Sequence, residues 1–351
     1  FGHDHWHNRQ FIFAGEVQVA LVARGTAENG AGAIVHQNKI GHINGKGPAV
    51  VKRVFHVNPS VEAFFLSGLQ GGNRGPHAAT FLDEFLQFRI VFGGSLRHFE
   101  KTEMPIFLGM RYGNPSTADV IAEIKKAGVT ELLILPLYPH YAMSSYESAV
   151  VKTMEELAKQ APEIQPKLVQ PFYNDPKYIH ALWESIKPHY DENDAHLMMS
   201  FHGIPERHVQ KSDPSHAHCL VREDCCDCEH PAHATCYRHQ CLSTAKHLIA
   251  HAGLDEKNVT ISFQSRLLKA PWLGPYTDHE IERLAKEGVK KLKVICPAFI
   301  SDCLETLEEI AMRGKEDFLE NGGEELELIP CLNTHPLWIQ WMVDKIENWE
   351  C

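Results

Sequence analysis

Leu197-Met198-Met199-Ser200-Phe201-His202-Gly203-Ile204-Pro205 begins as an apolar run and ends abruptly on an ionisable side chain, a glycine and a proline. A short, nearly continuous apolar run bounded by turn formers is the pattern of a strand buried on both faces of a sheet. The pattern recurs at 105–110, 131–137, 259–263, 292–299 and 326–332, with amphipathic helical periods between, at 117–127, 146–160, 176–189, 242–252, 278–287, 304–320 and 336–346. Apolar strands alternating with amphipathic helices predict an α/β fold of parallel sheets covered on both faces. The segment 162–171, rich in proline and weak in period, is read as a crossover between two such units.

Residues 1–103 read differently. They hold 14 of the 24 glycines and eight of the 23 histidines, so this stretch does not share the composition of the rest. A strand-like run at 16–23 and a helical period at 79–92 stand out, and no other period persists. It is expected to be either a loop-rich domain or a stretch that is read out of its native frame or badly diverged. The expected divisions are 1–103, 104–165 and 166–351.

Bulk properties narrow the function. The 351 residues are 44% hydrophobic with a formal net charge of -11. An acidic chain without a basic patch argues against a nucleic-acid partner. No run of 18 apolar residues is present, so no membrane span is expected, and no secretory leader is read in the opening residues, although the chain starts at Phe1 and not Met. Six of the ten cysteines lie between Cys219 and Cys241, in a chain with ample apolar residues. That fits a metal site in a reducing compartment better than a disulfide framework. A cytoplasmic location follows, with peripheral membrane contact left open; the sequence is silent on oligomeric state.

In open α/β sheets ligands bind beyond the carboxyl ends of the strands. Here those ends read Arg111-Tyr112-Gly113-Asn114-Pro115, Tyr138-Pro139-His140-Tyr141, His202-Gly203-Ile204-Pro205, Gln264-Ser265-Arg266, Ser301-Asp302-Cys303-Leu304-Glu305 and Asn333-Thr334-His335-Pro336. Each carries polar or ionisable groups, more than a purely structural sheet requires. His202, held open by Gly203 and Pro205, suits proton transfer near neutrality. Asp302, Glu305 and Glu309 are spaced to share one helix face. Asp302 would serve as N-cap and Glu305 as its capping-box partner; capping leaves Glu309 unexplained, whereas a path for a divalent cation or for protons explains all three.

Residues 109–115, 137–141, 200–205, 263–266, Pro271-Trp272-Leu273-Gly274-Pro275 and 302–307 resemble the ferrochelatases in order and approximate spacing, a resemblance that covers about 104–346. The resemblance implies two Rossmann-like, chelatase-type halves with a porphyrin cleft between them, and insertion of Fe²⁺ into protoporphyrin to form haem. His202 matches the family's active-site histidine and Glu305 the acidic residue facing it; both would handle the substrate iron. Arg111, Tyr112, Tyr138 and Trp272 match the cleft, and Asp302 and Glu309 the acidic path. Where animal members carry a histidine two residues before the glutamate, this chain has Cys303. The family's N-terminal apolar strand and Gly-Thr-Pro-type turn are not found in residues 1–103. That departure keeps two rivals in view, a porphyrin- or haem-binding protein without chelatase activity and a chelatase for another tetrapyrrole.

A cysteine-rich insertion, 215–240, separates segments that are nearly contiguous in the family. Its thiols and histidines suit either Zn²⁺ or an iron–sulfur cluster. Some bacterial ferrochelatases carry an internal [2Fe-2S] centre, whereas the animal enzymes use C-terminal cysteines and an upstream ligand that is Met143 here. The resemblance therefore implies a [2Fe-2S] cluster on Cys219, Cys226, Cys228 and Cys236, with Cys225 as substitute and Cys241 in the ordinary family register.

Overall fold

The computed structural model describes residues 18–24 and 105–349, apart from 268–269. Most of the atypical N-terminal stretch, including the helical period at 79–92, lies outside the described residues. Among the described residues, two four-stranded sheets form the frame. The second is the simpler. Its strands β5 (His196–His202), β6 (Val259–Gln264), β7 (Lys291–Ile295) and β8 (Glu325–Leu328) run parallel in the order β6-β5-β7-β8. Leu197, Met198, Met199 and Phe201 are fully buried, as the unbroken apolar run requires of a strand covered on both faces.

The first sheet is ordered β2-β1-β3-β4, from β1 (Gln18–Arg24), β2 (Ile106–Met110), β3 (Glu131–Pro136) and β4 (Gln165–Leu168). β3 and β4 pair in parallel, but β1 lies antiparallel to both β2 and β3. The α/β class holds, and the sheet departs from all-parallel because this one strand of the N-terminal stretch enters between β2 and β3 in the reverse direction. β4 falls inside 162–171, which the sequence marked as a crossover. Pro166 hid it: a proline cannot donate to a ladder and is tolerated here because β4 is an edge strand.

Local chemistry explains the helices. In α1 (Thr117–Lys126) the Ser116 hydroxyl accepts from Asp119 N, and Gly128 follows in the left-handed region at φ 71°. α2 (Ser148–Gln160) is preceded by a π-helical turn, Met143–Glu147. α3 (Pro176–Ile186) has Asp175 as N-cap and proline at its first position. A short helix, α4 (Glu206–Ser212), follows Pro205. α5 (Tyr237–Ala252) starts well before the period at 242–252, because the Cys236 sulfur caps it by accepting from His239 N. α6 (Thr277–Lys286) covers β6 and β7. Beyond β7 the chain forms one turn, α7 (Leu304–Thr306), a π-helical stretch Leu307–Gly314, then α8 (Lys315–Glu320); α9 (Pro336–Asn348) closes the chain.

One core joins the two sheets. Leu133 and Leu135 of β3 share it with Met199 and Phe201 of β5 and with Tyr178, Leu248, Trp338 and Trp341 from α3, α5 and α9. The Trp338 and Trp341 rings stack at 5.0 Å, and Phe172 lies 4.4 Å from Trp341. Burying each such side chain stabilises by roughly 1.5–3 kcal/mol, so the two sheets are held in one register and their strand ends in one arrangement.

Candidate active site and cysteine loop

His202 ends β5 and pairs in register with Gln264 at the end of β6. The close approach of these two strand ends explains the glycine that follows. Gly203 N donates to the Gln264 carbonyl at 2.8 Å, and a Cβ on Gly203 would lie 2.7 Å from that same oxygen. The next residues pin the loop: Leu273 N donates to the Ile204 carbonyl at 3.0 Å, and Pro205 bridges to Trp272.

The His202 ring is oriented by its own loop. Its Nδ1 lies 2.6 Å from the Gly203 carbonyl oxygen, an acceptor only, so Nδ1 carries the proton and the neutral ring has its lone pair on Nε2. Burial lowers its pKa, while Glu305, the Gly203 carbonyl and Glu309 act in the opposite sense. The ring packs 5.9 Å from that of Phe299. Behind it, Tyr237 donates its hydroxyl to the His202 carbonyl at 2.8 Å.

The end of β6 also holds the acidic groups. Gln264 donates to the Glu305 main-chain carbonyl at 2.7 Å, and its own side-chain oxygen accepts from Ser200 at 2.8 Å. Ser265, in the left-handed region at φ 64°, presents its N–H and hydroxyl to the two Glu309 oxygens at 2.7 and 2.5 Å. Glu305 and Glu309 thus stand within electrostatic range of His202. Asp302 does not join them in the way the sequence suggests. Its carboxylate accepts from Cys331 N at 3.0 Å and from Asn333 at 2.6 Å, and it borders a cavity of about 360 Å³ walled by the π-helical stretch and β8. Nor is Asp302 the N-cap. Cys303 takes that position, and Thr306 closes the capping box in place of Glu305. A hydroxyl three residues on fits the cap, and Asp302 is drawn to the loop after β8. The π-winding of 307–314 further breaks the spacing on which a shared helix face depends, a winding often found at functional sites.

Of the cleft residues, Arg111 donates to Ser148 at 2.9 Å and stacks 4.5 Å over Tyr112, which is exposed. Tyr138 packs on the core of the first sheet, and Trp272 is buried. Tyr237 and Gln264 hydrogen-bond to the His202–Gly203 backbone, contacts that spacing alone does not show. Gln264 was legible within its motif; Tyr237 lay in a segment read as loop.

In the insertion, Asp213 organises the chain, accepting from His218 N, Cys219 N and Ser215. Burial opposes its charge, but these hydrogen bonds outweigh it and hold its carboxyl well below the usual range. Cys219, Cys226 and Cys236 are all buried in the insertion, and Cys236 acts on the titration of the other two. Burial pushes Cys219 up to about 11, and the Cys236 contact with burial pushes Cys226 up to about 12. Cys225 is buried with its sulfur 4.0 Å from that of Cys226, whereas Cys228 is exposed. Arg238 approaches the Cys226 sulfur at 3.4 Å. The donor type fits a thiolate-bound centre, yet among the described residues no three His, Cys, Asp or Glu side chains are set as a metal site.

Two α/β sheets that share one core, with ionisable groups at their strand ends, match the two-sheet architecture of the chelatases. SirB from Bacillus subtilis, solved with Fe3+, is similar to this chain with a TM-score of 0.51 at 15% identity, over 79% of this chain and 91% of its own. A sequence model of the ferrochelatase family matches residues 94–349, beginning before the boundary at 104. The ferrochelatase of Opitutus terrae is 52% identical over 247 residues, 70% of this chain and 72% of that one. That of Stutzerimonas stutzeri is 46% identical over 243 residues, 69% of this chain and 71% of its own. The chain belongs to the ferrochelatase family, enzymes that chelate a metal. Among the described residues no helix is long and apolar enough to cross a membrane.

Proposed function

We propose that this chain inserts Fe²⁺ into protoporphyrin, with His202 and Glu305 at the reacting centre. The observation that carries this reading is the neutral His202 ring, its Nε2 lone pair set by the Nδ1–Gly203 hydrogen bond, within range of the Glu305 and Glu309 carboxylates. Metallation requires two pyrrole N–H protons to leave while a dication enters. Nε2 accepts a proton or meets the metal at one face of the ring, and the carboxylates offset the dication's charge. Glu309, held by Ser265, and Asp302, held by Asn333, are read as the acidic approach. Arg111, Tyr112, Tyr138 and Trp272 are read as the walls for the macrocycle.

Anaerobic incubation with Fe²⁺ and protoporphyrin tests this directly. Haem absorbance should appear as porphyrin fluorescence falls, and His202→Ala should reduce turnover by roughly 10²–10⁴-fold, the usual worth of a positioned base. Porphyrin binding with unchanged fluorescence would instead support the binding-only reading.

The buried thiols gathered in this one insertion support a second element, a [2Fe-2S] centre on Cys219, Cys226 and Cys236 with Cys228 or Cys225 as fourth ligand. Such a centre supplies folding free energy and a redox-active chromophore. Reddish-brown protein that is bleached by Cys226→Ser is expected, and comparison of Cys225→Ser with Cys228→Ser identifies the fourth sulfur. Colourless protein with stoichiometric zinc would replace the cluster by a structural Zn²⁺ site.

A further inference from the structure

The insertion and the start of α5 also carry His216, His218, His230, His233 and His239, none of which the chelatase reading uses. Four of them form two stacks. His218 lies on His230 with centroids 3.7 Å apart and planes 9° apart, and His233 lies on His239 at 3.7 Å and 10°. The stacks meet at a tilt, the His218 and His233 planes 55° apart, with His218 Nε2 3.3 Å from His233 Nε2. Both nitrogens are aimed at one main-chain oxygen, the Cys225 carbonyl, at 2.9 Å from His218 and 3.0 Å from His233. His233 is buried, and the His218 main chain is held by Asp213.

Hydrogen bonding accounts poorly for this triangle. Its sides are nearly equal, so the two nitrogens approach the oxygen from directions closer together than its two lone pairs. If both nitrogens carry protons, two hydrogens crowd into one space. If one does not, its lone pair faces that of the carbonyl. A cation satisfies all three donors at once. Neighbouring ligands of a six-coordinate ion at about 2.1 Å lie about 3.0 Å apart, and those of a tetrahedral ion about 3.4 Å. The observed separations, 2.9 to 3.3 Å, span that interval.

We infer that His218 and His233, with the Cys225 carbonyl, form a site for a borderline divalent first-row cation, separate from the cysteine sulfurs. Two imidazole nitrogens select ions of the Fe²⁺, Ni²⁺ and Zn²⁺ class over Mg²⁺ and Ca²⁺. No further His, Cys, Asp or Glu side chain among the described residues completes the set. Water fills the other positions, which favours exchange over permanent retention. The stacked His230 and His239 rings keep the two ligand rings in place, as outer-shell partners do elsewhere. The site stands independently of the chelatase reading.

The probe is Ni²⁺, and the protein is the full chain with its cysteine centre, carrying His202→Ala so that the active-site imidazole is removed. Equilibrium dialysis should find one Ni²⁺ per chain. His218→Gln and His233→Gln should each weaken it by roughly 10- to 100-fold. His216→Gln, in the same insertion but outside the triangle, should leave it unchanged. X-ray absorption at the nickel edge should report two imidazoles, which requires no further variant. Absence of bound Ni²⁺, unchanged affinity in both glutamine variants, equal loss in His216→Gln, or a sulfur-dominated shell would each overturn the assignment.

Discussion

His140→Gln tests how firmly the two halves are joined. His140 follows β3, is 2% exposed, and sits with its ring edge-on to Phe201 at 5.6 Å and Tyr237 at 5.9 Å. The Thr244 hydroxyl donates to the Tyr173 carbonyl at 2.7 Å, so it accepts the Nε2 proton of His140 at 2.9 Å. Burial holds the His140 pKa down to about 3. The unfolded chain takes up a proton below about pH 6.5, and the folded chain resists it until about pH 3, so this contribution is fully present above pH 6.5 and is lost as pH falls toward 3. At pH 5 the loss amounts to about 2 kcal/mol, roughly 30-fold in the folding equilibrium. Glutamine keeps an N–H near Nε2 but cannot titrate. The stability gap between wild type and His140→Gln, from urea unfolding followed by tryptophan fluorescence, should therefore shrink by about 2 kcal/mol between pH 7 and pH 5. Comparing the two proteins cancels the other titrating groups. A gap that stays constant across this range would refute the reasoning, because His140 would then be taking up its proton without unfolding.

Tyr237→Phe removes the donor to the His202 carbonyl; a lost hydrogen bond of about 1–2 kcal/mol should lower kcat roughly 5- to 30-fold with KM for porphyrin unchanged, and an altered KM alone would point to the cleft walls instead. Gly203→Ala drives a Cβ to 2.7 Å from the Gln264 oxygen; a cost of about 1–3 kcal/mol should appear as a lower Tm together with reduced turnover, and wild-type values for both would mean that the β5 and β6 ends part easily. Asp213→Asn weakens the acceptor that three main-chain N–H groups share. The charged form stabilises the loop above the ordinary aspartate pKa and is lost only as pH falls through the lower folded value. The variant should therefore lose the visible colour expected of the cysteine centre at neutral pH, as read by absorbance, while chelatase turnover falls less.

Much of this molecule is legible along the chain. The apolar runs at 131–137 and 197–201 determine two buried strands, because nothing but a covered sheet accommodates such uninterrupted burial, and His202 stands out because Gly203 and Pro205 end its strand immediately. The acidic residues and the cysteines were visible as residue types at spacings. What spacing cannot convey is which partner each group meets across the fold. Asp302 is taken by Asn333 from beyond β8, and Thr306 displaces Glu305 from the cap, because hydrogen-bond partners are chosen by three-dimensional proximity. β4 escaped notice because its edge position, which excuses Pro166, is a property of the sheet. The reversed direction of β1 depends on where that strand is admitted between β2 and β3. The triangle of His218, His233 and the Cys225 carbonyl includes a main-chain oxygen, which every residue possesses and no sequence pattern marks. Composition and period determine which residues are buried and which elements form; tertiary packing decided which polar atoms face one another, because those contacts join segments far apart in the chain.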